Sequence, residues 1–458
     1  MTEASRFGDV RDPAYIAEKV GATLSGSAAD RARRLLLVCA EALRGAGVPE
    51  GGLTCAFTVP GRIEVLGKHT DYAGGRSLLA AAERGFVTVA VPRSDDRVRV
   101  LDASSAESTC FALDPELELG AGWTNYPMTA ARRMARNFPS ARIGADAAFV
   151  SDLPVAAGMS SSSAFVVSTF LALATINDLF ADERYRSAIA SVEDLAAYLS
   201  TIENGQDFRS LAGDRGVGTE GGSEDHTAML CARPGQLVQY AFAPVRFERA
   251  IPVPATHGFV IAASGVRAEK TGSARASYNR AAALMRIAAE HWRSATGDDS
   301  ATIGALLDRD PTAVAHLRDV LSQVREERCS AAELLERVDH FIAESREIIP
   351  AAGAALERND LAAFGTLTNR SQEASEQLLG NQIAETMHLA RSARTLGAVA
   401  ASAFGAGFGG SVWALVHRAE ADPFEREWRR DYVARFPERD RDSEFFQTMA
   451  GVPALRII

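Results

Sequence analysis

The chain has 458 residues, 47% hydrophobic and 24% charged, the balance of a soluble globular protein with a core large enough for two or three domains. A formal charge of −10 and a pI near 5.5 leave no basic excess to neutralise phosphates, which argues against a nucleic-acid partner. An acidic surface still admits an anionic substrate in a locally positive pocket.

The amino terminus, MTEASRFGDVRDP, has neither the basic nor the apolar region of a secretory signal. Residues 1–50 read as mainly helical, with apolar residues at helical spacing from Arg31 to Leu43 behind two possible caps, Ser27 and Asp30. From Cys55 the pattern turns to short β-type runs, CAFTV, GFVTVAV and RVRVLDA. A helix is predicted around Thr129–Arg136, then a strand, AAFVSDL, a glycine-serine turn and a helix from near Ser162. The apolar run Ala164–Ile176 is too short to span a bilayer. Between Glu183 and Thr219 the chain reads as a helix and then a glycine-punctuated loop. A strand near His257 opens a second unit, followed by helices at Arg280–Trp292 and Ala331–Glu347 and a late strand, SVWALV. The alternation favours a mixed α/β or α+β architecture with two lobes, divided as 1–250 and 251–458. Five scattered cysteines, Cys39, Cys55, Cys110, Cys231 and Cys329, form no CxxC pair. They read as buried thiols of a reducing compartment, so a cytoplasmic protein without a membrane partner is expected.

Four segments carry polar groups in patterns that suit chemistry. PGRIEVLGKHTDYAGG, Pro60–Gly75, crowds Arg62, Glu64, Lys68, His69, Asp71 and Tyr72 between a strand and glycines, which suits a hydroxylated ligand and equally suits a self-capped loop. In LPVAAGMSSSSAF, Gly158 turns the chain and serines lead into an apolar helix, whose free N–H groups would cradle phosphate oxygens. FGAGFGGSVWALV has GxGxxG spacing, yet a strand follows it where the dinucleotide fingerprint needs a helix, so that reading is rejected. In GTEGGSEDHTAML, glycines including Gly222 bring Glu224 and Asp225 out of a turn, where a carboxylate can orient a hydroxyl and take its proton.

In this order the segments resemble the GHMP kinases and, within them, the galactokinases. The first is similar to the galactokinase signature, the serine turn to the family's phosphate loop, and FGAGFGG to its late glycine turn. GTEGGSEDH is similar to the family's Gly-Gly-Met-Asp-Gln segment, and GVRAEKTGSARASYNR to the one that brings a sugar-contacting tyrosine, here Tyr278. The resemblance covers about residues 55–416. It implies a two-lobed α+β fold, with an N-terminal mixed α/β domain and a C-terminal ferredoxin-like domain. It also implies transfer of a phosphoryl group from ATP to the C1 hydroxyl of a monosaccharide. Arg62 and Asp225 would be catalytic, and Lys68, His69, Asp71, Gly222 and Tyr278 would face the sugar. Gly158, Ser160, Ser161 and Ser162 would hold the ATP phosphates, and Ser161 with Glu203 would hold Mg²⁺.

The chain departs from the family pattern at several of these positions. Lys68 stands where galactokinases carry a glutamate that accepts from the hydroxyl at the sugar's C6 end. An ammonium only donates, so an acidic sugar such as galacturonate is expected, unless Lys68 folds away to pair with Glu64, itself in place of asparagine. His226 replaces glutamine, and Ser402-Ala403-Phe404 replaces a polar lead-in. The alternative reading is a non-catalytic sugar and ATP sensor derived from a galactokinase. A kinase of mevalonate or homoserine type fits the HTDY run less well, and a hydrolase lacks its GxSxG or HExxH signature.

Overall fold

The computed structural model describes residues 5–267 and 272–458. Two helices come first, Pro13–Gly21, capped by the Asp12 carboxylate, and Gly26–Gly45. The second buries Ala29, Ala32, Leu36, Cys39, Ala40 and Leu43 against one face of the first sheet, the face its helical spacing predicts.

That sheet contains β1 (Cys55–Leu66), β2 (Arg76–Pro92), β3 (Arg97–Asp102), β4 (Ser108–Ala112), β5 (Ala145–Ser151), β6 (Gln236–Ala241) and β7 (Arg246–Pro252). A second sheet contains β8 (His257–Ala263), β9 (Ala400–Phe404), β10 (Ser411–His417) and β11 (Glu444–Thr448), in the order β11-β8-β10-β9. β12 (Leu455–Arg456) then returns to the first sheet beside β1, giving β12-β1-β2-β5-β3-β4. The seventeen-residue β2 outreaches each neighbour, so one end pairs with β6, which pairs with β7, and the other with β5. β7 lies across the expected boundary at 250/251 as part of the first sheet.

The sequence expectation of a strand ending near Val59 is too short. β1 continues to Leu66, so Arg62 and Glu64 are strand residues, two apart and on one face. Its register against β2 shifts between Pro60 and Arg62 and again between Glu64 and Leu66. Bulges of this kind re-aim side chains locally. Over that face lies the helix Ser161–Ile176, buried from Ser163 to Ala174 and packed on β1 and β2. A helix apolar on every side belongs in a core, and its amino end is thereby fixed beside Arg62.

Trp413 on β10 is fully buried and donates its indole N–H to the Val65 carbonyl at 3.2 Å, tying the second sheet to β1. Burying such a side chain contributes about 1.5–3 kcal/mol. The helix expected over Ala331–Glu347 is Ala331–Ile342, opened by a Ser330/Glu333 capping box, then a π turn at Ala343–Ile348 and a further helix, Ile349–Glu357. Four of the cysteines are buried as expected, but Cys110 is exposed on β4. Among the described residues no helix is long and apolar enough to cross a membrane.

Candidate active site

The four motif segments meet at one cavity. Arg62 reaches it from β1, Ser163 from the buried helix, and Asp225 from the helix Glu224–Cys231. Arg62 is 4% exposed and donates from Nε to Asp225 Oδ1 at 2.7 Å and from its terminal nitrogen to the Gly158 carbonyl at 3.1 Å. Burial works against the guanidinium charge, but Asp225, Glu64 and Glu224 around it outweigh that and push its pKa up. Ser163 Oγ donates to Asp225 Oδ2 at 3.4 Å. One arginine therefore joins the catalytic candidates to the turn before the helix.

That turn is held by backbone. Arg62 N–H donates to the Met159 carbonyl at 3.1 Å, and Ser411 Oγ to the Ala157 carbonyl at 2.6 Å. The helix begins at Ser161, one place before the sequence expectation, with Ser160 in the left-handed region at φ 58°. Ser160 Oγ is buried and has no hydrogen-bond partner, at the amino end of a sixteen-residue helix. An unsatisfied hydroxyl costs about 1–3 kcal/mol, and a phosphate oxygen there would remove that cost. The late glycine loop closes over the same turn: at Gly405, φ 86°, a Cβ would lie 2.8 Å from the Gly158 carbonyl. The close approach requires glycine.

The opposite side of the cavity is polar and aromatic. His69 bonds through Nδ1 to the Tyr72 hydroxyl at 2.9 Å and through Nε2 to the Ala406 carbonyl at 3.0 Å, and its ring lies 5.1 Å from that of Tyr278. Asp71 accepts from the Tyr72 and Glu224 N–H groups at 2.8 and 3.1 Å. Burial raises the Asp71 carboxyl pKa against those two bonds. A Cβ on Gly222 would sit 2.5 Å from Asp71 Oδ2, so glycine lets the turn press on that carboxylate. Burial, with Asp71 and Asp225 nearby, pushes the Tyr278 hydroxyl well up, so it stays protonated and able to donate. The segment expected to deliver Tyr278 includes residues 268–271, outside the described residues.

Glu203 lines the cavity at the end of the helix Val192–Asn204, and His226 Nε2 is 3.3 Å from its Oε1. Glu64 and Glu224 also line it. Sequence reasoning weighed both without a site role, although each replaces a neutral residue of the family pattern. It missed Ser163, one place beyond the serines it chose. Gly158, Ser160, Ser161 and Ser162 border the site from the turn and are not part of the cavity wall.

Lys68 is where the sequence expectation fails. It is 0% exposed, absent from the cavity wall, and donates from Nζ to Ser402 Oγ on β9 at 2.9 Å. Ser402 Oγ in turn donates to Gln372 at 3.0 Å. Lys68 lies in the turn after β1, beyond Gly67, whose N–H donates to Glu344 at 2.8 Å, and its ammonium reaches Ser402 behind the wall. Ser402, read as a side-chain change near the site, is its acceptor.

Family models match in the order of these elements. The galactokinase galactose-binding signature covers residues 48–92, the GHMP kinase N-terminal domain 125–207, and the GHMP kinase C-terminal domain 353–434. The chain is a galactokinase-like member of the GHMP kinase superfamily. Like other GHMP kinases, it is a phosphotransferase with an alcohol group as acceptor and ATP as the phosphoryl source. Similar proteins include the galactokinases of Roseiflexus sp. (strain RS-1), 28% identical over 81% of this chain and 86% of that one, and of Chloroflexus aggregans, 29% identical over 82% and 87%. The GHMP fold is shared with Lactococcus lactis galactokinase complexed with galactose, at a TM-score of 0.73 and 23% identity over 91% of this chain and 98% of that one.

Proposed function

We propose that this kinase phosphorylates a monosaccharide at its anomeric C1 hydroxyl, with Arg62 and Asp225 as the reacting pair. The observation that carries the reading is their 2.7 Å contact in a cavity lined by Ser163 on one side and by His69, Asp71 and Tyr278 on the other, with Arg62 also bonded to Gly158 of the serine turn. Asp225 orients the sugar hydroxyl and takes its proton, and Arg62 stabilises charge on the phosphoryl group in transfer. His69, Asp71 and Tyr278 supply the donors and acceptors that fix a polyol, with Gly222 setting Asp71. The ATP phosphates lie over Gly158 and Ser160–Ser162, where the unsatisfied Ser160 hydroxyl supports them. The oxygen donors there and at Glu203 fit Mg²⁺, with Ser161 and Glu203 as its protein ligands. When bound, the ion neutralises phosphate charge. A division into two lobes, with the boundary moved from 250/251 to the end of β7 at Pro252, and a cytoplasmic location belong to the same reading.

A neutral hexose, with galactose first, is the substrate this reading favours. The match to the galactose-binding signature supports it, and so does the burial of Lys68. The uronic-acid expectation needed that ammonium in the cavity, where Glu64, Asp71, Glu224 and Asp225 instead face Arg62. A sugar and ATP sensor would bind both ligands without turnover. ADP release with ATP, Mg²⁺ and a panel of neutral hexoses, pentoses and uronic acids tests the reading. Turnover led by galactose supports it, turnover with a uronic acid alone overturns the substrate class, and binding of both ligands without turnover leaves the sensor.

A further inference from the structure

Two residues that depart from the family pattern, Glu64 for asparagine and Glu224 for methionine, lie 160 positions apart in sequence and meet at Arg62. Both carboxyls are buried against the same guanidinium, which Asp225 already holds at 2.7 Å. Glu64 is 3% and Glu224 5% exposed, and no N–H or O–H donor reaches Glu64 Oε1. Three carboxylates thus crowd one cation, and since two ionised carboxylates can only accept, a proton held between Glu64 and Glu224 is what removes one of those charges. The pair flanks the guanidinium, with Glu64 Oε2 3.8 Å from one terminal nitrogen and Glu224 Oε1 3.7 Å from Nε. Other groups fix the outer oxygens: Ser77 Oγ donates to Glu224 Oε2 at 2.6 Å, and the Gly405 N–H to Glu64 Oε2 at 3.4 Å.

We propose that Glu64 and Glu224 act as one unit that holds a single shared proton and positions Arg62 against Asp225 for phosphoryl transfer. The proposal rests on the kinase reading above. With the proton in place the pair carries one negative charge, and the arginine keeps its 2.7 Å bond to Asp225. Without it, two full carboxylates at 3.7 and 3.8 Å compete with Asp225 for the same cation and draw it from the reacting centre. Arg62 faces the pair from β1, Lys68 and Asp71 from the turns after it, and Asp225 from the helix of Glu224, with Glu344 behind. Burial raises both carboxyls, Glu224 the more, in keeping with a retained proton. Lys68 thereby gains a role, because its buried charge offsets Glu64 from behind the wall.

The test measures kcat and KM by ADP release from about pH 6 to about pH 9.5, with the best sugar of the panel, for the wild type, Glu64→Gln and Glu224→Gln. In the wild type, kcat is expected to fall about tenfold on the alkaline side while the KM for sugar holds. An amide paired with a carboxylate needs no shared proton, so each variant should stay within about twofold across that limb. A wild-type profile without the limb, or variants that keep it, overturns the proposal. Infrared titration of the unsubstituted protein reads the proton directly and does not depend on the variants folding. A protonated carboxylic acid band lost on the alkaline side supports the pair, and its absence at neutral pH overturns it. If no sugar turns over, the kinase reading and the positioning role fall together, while the infrared band still reports the shared proton.

Discussion

Replacing Asp225 with asparagine keeps the side chain's size and removes its charge and basicity. The Arg62 Nε bond at 2.7 Å can persist to the amide oxygen, and Glu64 and Glu224 still lie within 4 Å of the guanidinium. The arginine therefore stays compensated and anchored through Gly158, so the expected loss of stability is only about 1 kcal/mol. The reaction loses the group that takes the proton, a contribution of about 10²–10⁴ in rate, or about 3–5 kcal/mol of transition-state stabilisation. ADP release should show kcat reduced by that factor with KM for ATP little changed, and calorimetric titration should show ATP still bound. An unchanged kcat in a folded Asp225→Asn protein would refute the assignment. A lost kcat together with lost ATP binding would mean that the aspartate holds the site together and performs no proton transfer.

Other substitutions probe the surroundings. Lys68→Met removes a buried ammonium bonded to Ser402 and leaves Glu64 and Glu344 less compensated, so urea denaturation should show a loss of about 3–5 kcal/mol. The ranking of neutral over acidic sugars should not change, and a reversed ranking would restore Lys68 to the sugar pocket. Gly405→Ala places a methyl group 2.8 Å from the Gly158 carbonyl at φ 86°, so the turn must shift. The expected cost is about 1–3 kcal/mol with a raised KM for ATP, and an unaltered KM would detach the glycine loop from the phosphate site. Glu64 and Glu224 have raised carboxyl pKa values in the folded state. Their contribution to stability is therefore full below the ordinary carboxylate range and is lost as pH climbs through the raised values. Thermal unfolding of Glu64→Gln should accordingly gain on the wild type as pH rises, and a constant difference between the two would contradict the shift.

Local chemistry made much of this protein legible from its sequence. The glycine-serine turn before an apolar run, the strand character of GFVIAAS and SVWALV, and the order of the motifs depend on backbone preferences and neighbours close in sequence. Arg62, His69, Asp71, Asp225 and Tyr278 were readable because their segments resemble galactokinase motifs, although each polar group alone could equally have capped its own loop, and they do converge on one cavity. Strand length was harder. β1 carries Arg62 and Glu64 to Leu66 because both of its faces are covered, which no local polarity pattern reveals. The direction of Lys68 was beyond the sequence altogether. Its charge suggested an acidic ligand, but its acceptor is Ser402, 334 positions away, on a strand that the second sheet brings behind β1. The meeting of Glu64 with Glu224 was hidden for the same reason. Sequence determines which groups are present and their local backbone, whereas the partner of a buried charge is set by packing between distant segments, because burial makes an uncompensated charge too costly to leave alone.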